Sequence, residues 1–153
     1  MYSFIFTEHA PCSYNSLRGK KKAEYKKSFC NALAIDNKGF KKYNDDDELY
    51  GIVYYFYKQD NKLDVDNISK PIWDSLKGCL YNDDQQIKFR LVIKYDISKN
   101  TAYELDITNL SDDMMCKLLN VLENKNHILY VECGRKDISF AIFKFNLEKI
   151  DGY

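Results

Sequence analysis

The sequence predicts an α+β domain, a mostly antiparallel or mixed sheet flanked by helices. Three observations lead there. Segments 2–7 and 87–97 alternate apolar and polar side chains with the two-residue period of a strand, and segment 49–58 is apolar on both faces. Segments 20–34 and 111–124 instead carry apolar stripes at helical spacing. The 153-residue chain is 45% hydrophobic and 15% aromatic, which suits one folded domain with a modest core and excludes a disordered chain.

The first strand, 2–7, sets Tyr2, Phe4 and Phe6 on one face. A turn-rich stretch with Pro11 and Asn15 follows. In the helix 20–34, Tyr25, Phe29 and Leu33 form the stripe, and Lys20, Lys21, Lys22, Lys26 and Lys27 cover much of the remainder. Segment 37–48 reads as a solvated loop, and its run Asp45, Asp46, Asp47 lacks the alternation of a metal-bearing strand. Strand 49–58 opposes Tyr50, Ile52, Tyr54 and Phe56 to Leu49, Val53, Tyr55 and Tyr57. Both of its faces must be covered, one by core and the other by a helix or a partner subunit. In strand 87–97, Ile87, Phe89, Leu91, Ile93, Tyr95 and Ile97 are expected on one face, opposite a face made basic by Lys88, Arg90 and Lys94. Segment 101–107 repeats the alternation, with Tyr103, Leu105 and Ile107 inward. Ser111 is placed to cap a helix running to about Asn124, whose positive end suits Asp112 and Asp113. A hairpin of 128–133 and 138–146 closes the chain.

Formal net charge is zero, so no global excess points to a polyanion. Distribution is more telling. Between residues 16 and 42, Arg18, Lys20, Lys21, Lys22, Lys26, Lys27, Lys38, Lys41 and Lys42 face only Glu24 and Asp36. Five cysteines at scattered spacings, with no CxxC pair and two histidines, argue against zinc and for a reducing, cytoplasmic setting. No apolar run reaches membrane-spanning length.

The chemistry concentrates in residues 63–87, where Asp64, Asp66, Asp83 and Asp84 crowd together with few bases beside them. If residues 63–66 are extended, Asp64 and Asp66 project to one face while Leu63 and Val65 enter the core. Asp66 then caps a helix with the stripe Ile68, Ile72 and Leu76, which ends at Gly78. Pro71 is expected in or near its first turn. Lys70 lies about one helical turn beyond Asp66, and Asp74 stands in ordinary i,i+4 register with it, a structural pairing. At strand geometry Asp83 and Asp84 face opposite ways, so only one of them can join the first pair.

Two carboxylates about 4 Å apart repel by roughly 1 kcal/mol in water and about 4 kcal/mol at an effective dielectric near 20. A cation relieves that repulsion, and oxygen-only ligands without Cys or His select Mg²⁺, or Mn²⁺. Such an ion holds a phosphate oxygen and activates water, and Lys70 would stabilise the charge of the transition state. Solvated turns also use Asp and Asn, but Lys70, the Asp83–Asp84 pair and the basic strand face together favour phosphoryl chemistry.

The spaced pattern Asp64-Val65-Asp66-Asn67, Lys70, Asp74-Ser75-Leu76 and Asp83-Asp84-Gln85-Gln86-Ile87 resembles the RusA-type Holliday junction resolvases. A weaker likeness lies in Pro11, Ser13 and Asn15 before a basic helix. The resemblance covers residues 1–108 and implies a RusA-like nuclease domain there; residues 109–153 depart from the family's pattern and are expected as a C-terminal extension packed on the same domain. It implies that Asp64, Asp66 and Asp84 are the essential carboxylates, that Lys70 is the essential lysine, and that Asp83 is an adjacent acid of lesser weight and a further candidate metal ligand. The implied activity is a Mg²⁺-dependent endonuclease, a homodimer that resolves four-way DNA junctions by paired symmetric nicks in recombination and repair. Strand 49–57 is a candidate dimer interface. Arg18, Lys20, Lys21, Lys22, Lys88, Arg90 and Lys94 are candidate phosphate contacts, which position DNA without reading sequence. The alternatives are a branched-DNA-binding module that does not cut, and a metal nuclease acting on flaps or other branched DNA.

Overall fold

The computed structural model describes residues 1–98 and 106–136. Its strands are β1 (Tyr2–Phe6), β2 (Leu49–Tyr57), β3 (Ile87–Asp96) and β4 (His127–Arg135). Its helices are α1 (Gly19–Asp36), α2 (Val65–Leu76) and α3 (Asp112–Asn124). The strands form one mixed sheet in the order β1-β4-β2-β3. β4 runs antiparallel to both β1 and β2, whereas β2 and β3 are parallel. Parallel neighbours need a crossover, and α2 lies in the connection from β2 to β3. That crossover sets the start of α2 and the adjoining face of β3 side by side.

The period-two alternation of the strands divides the core. On one face, α1 and α2 bury Tyr25, Phe29, Leu33, Ile68, Ile72, Trp73 and Leu76 against Phe4, Phe6, Val53 and Tyr55. On the other, α3 brings Met114, Leu118 and Val121 onto Ile5, Ile52, Tyr54 and Phe56. Each fully buried large apolar side chain stabilises the fold by roughly 1.5–3 kcal/mol relative to exposure. At the sheet centre the buried carboxylate of Glu132 accepts hydrogen bonds from the hydroxyls of Tyr50 (2.7 Å) and Tyr130 (2.6 Å), which satisfies an otherwise costly buried acid. Gly51 on β2 makes room for Trp73: a Cβ there would collide with the indole ring.

Three expectations need correction. Strand 49–57 cannot be the dimer interface, because β2 is bonded along both edges and its residues Leu49–Phe56 are buried within the chain. The apolar second face that suggested a partner is covered by α3 and its own cluster. Strand 87–97 does not keep one apolar face. Ile87 pairs with Leu49 but Phe89 pairs with Tyr50, so the register shifts by one residue at Lys88. Ile87 therefore packs with the α1/α2 core, while Leu91, Ile93 and Tyr95 pack on the α3 side. The segment after residue 109 does more than append to a finished sheet, since β4 lies between β1 and β2. The expected second hairpin arm, 138–146, lies outside the described residues, as does nearly all of the expected strand 101–107.

Candidate active site

Residues 63–66 are not a strand. α2 begins at Val65, and Asp64 is its N-cap in extended conformation, accepting a hydrogen bond from the Asn67 amide at 2.8 Å. Two apolar residues, Leu63 and Val65, are too short a pattern to impose a strand against a side chain that satisfies an orphan helix amide. Asp66, rather than capping, lies in the first helical turn, exposed at the positive end of the helix. Val65 is 39% exposed and does not enter the core. Pro71 lies inside the helix, beyond its first turn. The missing Pro71 N–H removes one intrahelical bond, and the Ser75 hydroxyl donates to the Pro71 carbonyl at 2.7 Å.

The buried stripe Ile68, Ile72 and Leu76 fixes the rotation of α2, so its outer side faces an open cleft of about 570 Å³. Val65, Asp66, Ser69 and Lys70 form one wall, and Arg90, Leu91 and Val92 of β3 form the other. Lys70 pairs with Asp74 at 3.4 Å, as the i,i+4 spacing predicts. Asp66 and Lys70 thus share one cleft, while Asp64, the helix cap, is not among its lining residues.

The second acidic pair starts a single 3₁₀ turn, Asp84–Gln86. Asp83 caps it, accepting from the Gln85 amide at 2.9 Å, while Gln86 Oε1 accepts from the amides of Asn82 (2.8 Å) and Asp83 (3.0 Å). The Gln85 amide, and then the Lys77 ammonium, hold the Asp83 carboxyl below its ordinary value. Lys77 lies 3.1 Å from Asp83 and 4.0 Å from Asp84, and its own proton is held more tightly, chiefly by Asp83. Asp84 Oδ1 is buried and has no hydrogen-bond donor. Such an oxygen is a vacant acceptor suited to a hard cation.

Asp64, Asp66 and Asp84 offer only oxygen donors, so their chemistry fits Mg²⁺ or Mn²⁺. Among the described residues, however, no three acids, cysteines or histidines are close enough together to hold an ion. The candidate acids therefore fall into two separate groups, candidate half-sites at the start of α2 and at the turn before β3. Arg90 of β3 lines the cleft with Asp66, and its charge and that of Asp84 both act on the buried Tyr81 hydroxyl. Burial and then Asp84 push that hydroxyl up, and Arg90 pulls it down.

The other predicted phosphate contacts fall into two groups. Arg18, Lys20, Lys21 and Lys22 are exposed at the start of α1, with Lys20 3.9 Å from Glu24. Lys88 lies 4.0 Å from Glu48. Lys94 turns inward: its ammonium donates to Asp60 (3.1 Å) and to the Leu63 carbonyl (2.7 Å), bracing the loop that leads to Asp64. The bulge at Lys88 explains why the basic strand face is not continuous. Sequence reasoning missed Lys77. Its place at the end of the helix, two turns past Lys70, was a usable signal. It also missed the Cys30–Cys79 disulfide, which joins α1 to the turn after α2 and runs against the reducing setting expected from the scattered cysteines.

The family model described as endodeoxyribonuclease RusA matches residues 31–108, half of the chain. That span contains both half-sites, Lys70 and Arg90, and it omits β1 and β4. No curated protein matches the chain.

Proposed function

The chain belongs to the RusA endodeoxyribonuclease family, and on that premise we propose that it is a Mg²⁺-dependent Holliday junction resolvase, with Mn²⁺ able to replace Mg²⁺. The observation that carries this reading is the cleft between α2 and β3, with a second acidic turn just before β3. Asp66 and Lys70 line the cleft, and Asp84 holds a buried oxygen without a donor. Asp64, Asp66 and Asp84 would hold the divalent ion, with Asp83 as a further candidate. The ion would supply a Lewis acid for the phosphate and a more acidic water. The remaining work belongs to the chain. The Asn67 amide orients Asp64. The positive end of α2 favours anionic groups at Asp66 and at an incoming phosphate. Lys70, steadied by Asp74, faces the charge that gathers on the phosphorus oxygens.

A homodimer suits the substrate, because a two-fold assembly sets one site against each of two opposed strands. Arg18, Lys20, Lys21 and Lys22 would grip the backbone of an arm, in the cytoplasm where that DNA lies. No helix of the described residues is long and apolar enough to cross a membrane. A second reading, a junction-binding module that does not cut, is favoured by the separation of the two half-sites.

A synthetic four-way junction, a flap and a linear duplex of matched sequence, each incubated with Mg²⁺, test the choice. Paired symmetric nicks confined to the junction support the resolvase. Tight junction binding without nicks favours the module, and preferential flap cutting favours a different branched-DNA nuclease.

A further inference from the structure

We propose that Arg90 is a catalytic residue, whose guanidinium takes the non-bridging oxygens of the scissile phosphate across the cleft from Lys70. The inference rests on the nuclease reading and names a group within that same site.

Three observations place the guanidinium. Arg90 stands opposite Gly51 in the parallel ladder of β2 and β3. Gly51 has no side chain, and the Trp73 indole occupies the space a Cβ would need. Arg90 in turn lies over that indole, its Cζ 5.9 Å from the ring centroid. The tryptophan is fully buried, so it is a fixed platform. A guanidinium held against an aromatic face loses less freedom on binding than a loose side chain does. From that platform Arg90 reaches the cleft wall facing Asp66 and Lys70.

Charge accounting singles out the same residue. Lys70 shares its charge with Asp74, Lys77 with Asp83, Lys88 with Glu48 and Lys94 with Asp60. Among the described residues no carboxylate lies within ion-pair distance of Arg90. Its planar fork is the geometry that accepts two phosphate oxygens at once. The role is electrostatic throughout. In the hydrolysis, water oxygen forms the new bond to phosphorus, one phosphate ester bond breaks, and the departing sugar oxygen ends as a hydroxyl. Arg90 donates N–H bonds and transfers no proton.

The test measures rate and binding separately in wild type, Arg90→Ala and Arg90→Lys. Wild type first maps the cut phosphate. Arg90→Ala is expected to slow single-turnover cutting by about 100- to 1,000-fold, while junction affinity without divalent ion falls less than about tenfold. Arg90→Lys, with the charge but not the fork, recovers only a small part of the rate. On a junction carrying a neutral methylphosphonate at the mapped position, wild type and Arg90→Ala bind alike. Several results overturn the proposal: cutting by Arg90→Ala near the wild-type rate, rate and affinity falling in equal proportion, or a binding difference that persists on the methylphosphonate junction. A wild type that binds junctions and never nicks them with Mg²⁺ or Mn²⁺ removes the nuclease reading and this one with it. A wild type that nicks while Arg90→Ala nicks equally well removes this inference alone.

Discussion

At the scale of single residues, hydrogen-bonding roles decide more than sequence alternation does. Asp64 and Asp66 stood out as a candidate pair from spacing and company, yet their geometry was not legible. A capping bond to one amide turned a predicted strand into a helix start. The Lys70–Asp74 pairing was read correctly because i,i+4 contact needs only the helix. Arg135 was invisible, since its partner Asp47 is far away in sequence. That pair ties the loop before β2 to the end of β4. The Arg135 hydrogen bond holds the Asp47 carboxyl below its ordinary value of 3.8. A carboxyl lowered by folding binds fewer protons in the native state. Its stabilising effect is complete above the unfolded value and disappears as pH falls through the lowered one. Substituting Arg135→Ala should move the NMR titration of Asp47 up toward 3.8. An unchanged midpoint would show that the bond is not formed in solution.

Among the elements, the best-read were those whose pattern was long. The helix stripe Tyr25, Phe29 and Leu33 is buried, as is the stripe Ile68, Ile72 and Leu76. Strand β2 was recognised as two-sided, but sequence could not say that both covers come from the same chain. The face change in β3 was unreadable, because a bulge depends on what the neighbouring strand presents. The Cys30–Cys79 bridge was likewise hidden. It fastens α1, which carries exposed lysines, to the turn that follows α2 and its C-cap Lys77 and leads to the second acidic pair. A link closing a loop of this length contributes about 2–4 kcal/mol. Protein prepared without reductant should show three reactive thiols on unfolding, from Cys12, Cys116 and Cys133. It should also melt higher than the reduced form. Five reactive thiols before reduction would rule the bridge out under those conditions.

For the whole molecule, the order β1-β4-β2-β3 makes the chain's late segment a central part of the sheet. The candidate site residues stood out in the sequence because they lie within one short stretch and share one chemistry. The sheet order was not found, because pairing between residues 2–6 and 127–135 leaves no local trace. β4 contributes fully buried Ile128 and Val131 at 0% exposure, together with Glu132, the acceptor for two tyrosines. A chain ending at residue 108 loses that strand and α3, and exposes both edges that β4 now joins. It should show no cooperative thermal transition by circular dichroism. A two-state melt within a few degrees of the full chain would mean that 1–108 is a self-sufficient domain.

The central claim is that the two acidic half-sites serve one metal-dependent cut. It is tested most directly by nicking of a four-way junction by wild type, Asp66→Asn and Asp84→Asn, with and without Mg²⁺. The account predicts symmetric nicks from wild type only when Mg²⁺ is present. It predicts a loss of at least about 100-fold from either substitution, with junction affinity largely kept. Cutting by wild type in the absence of any divalent ion would contradict it, as would undiminished cutting by either variant.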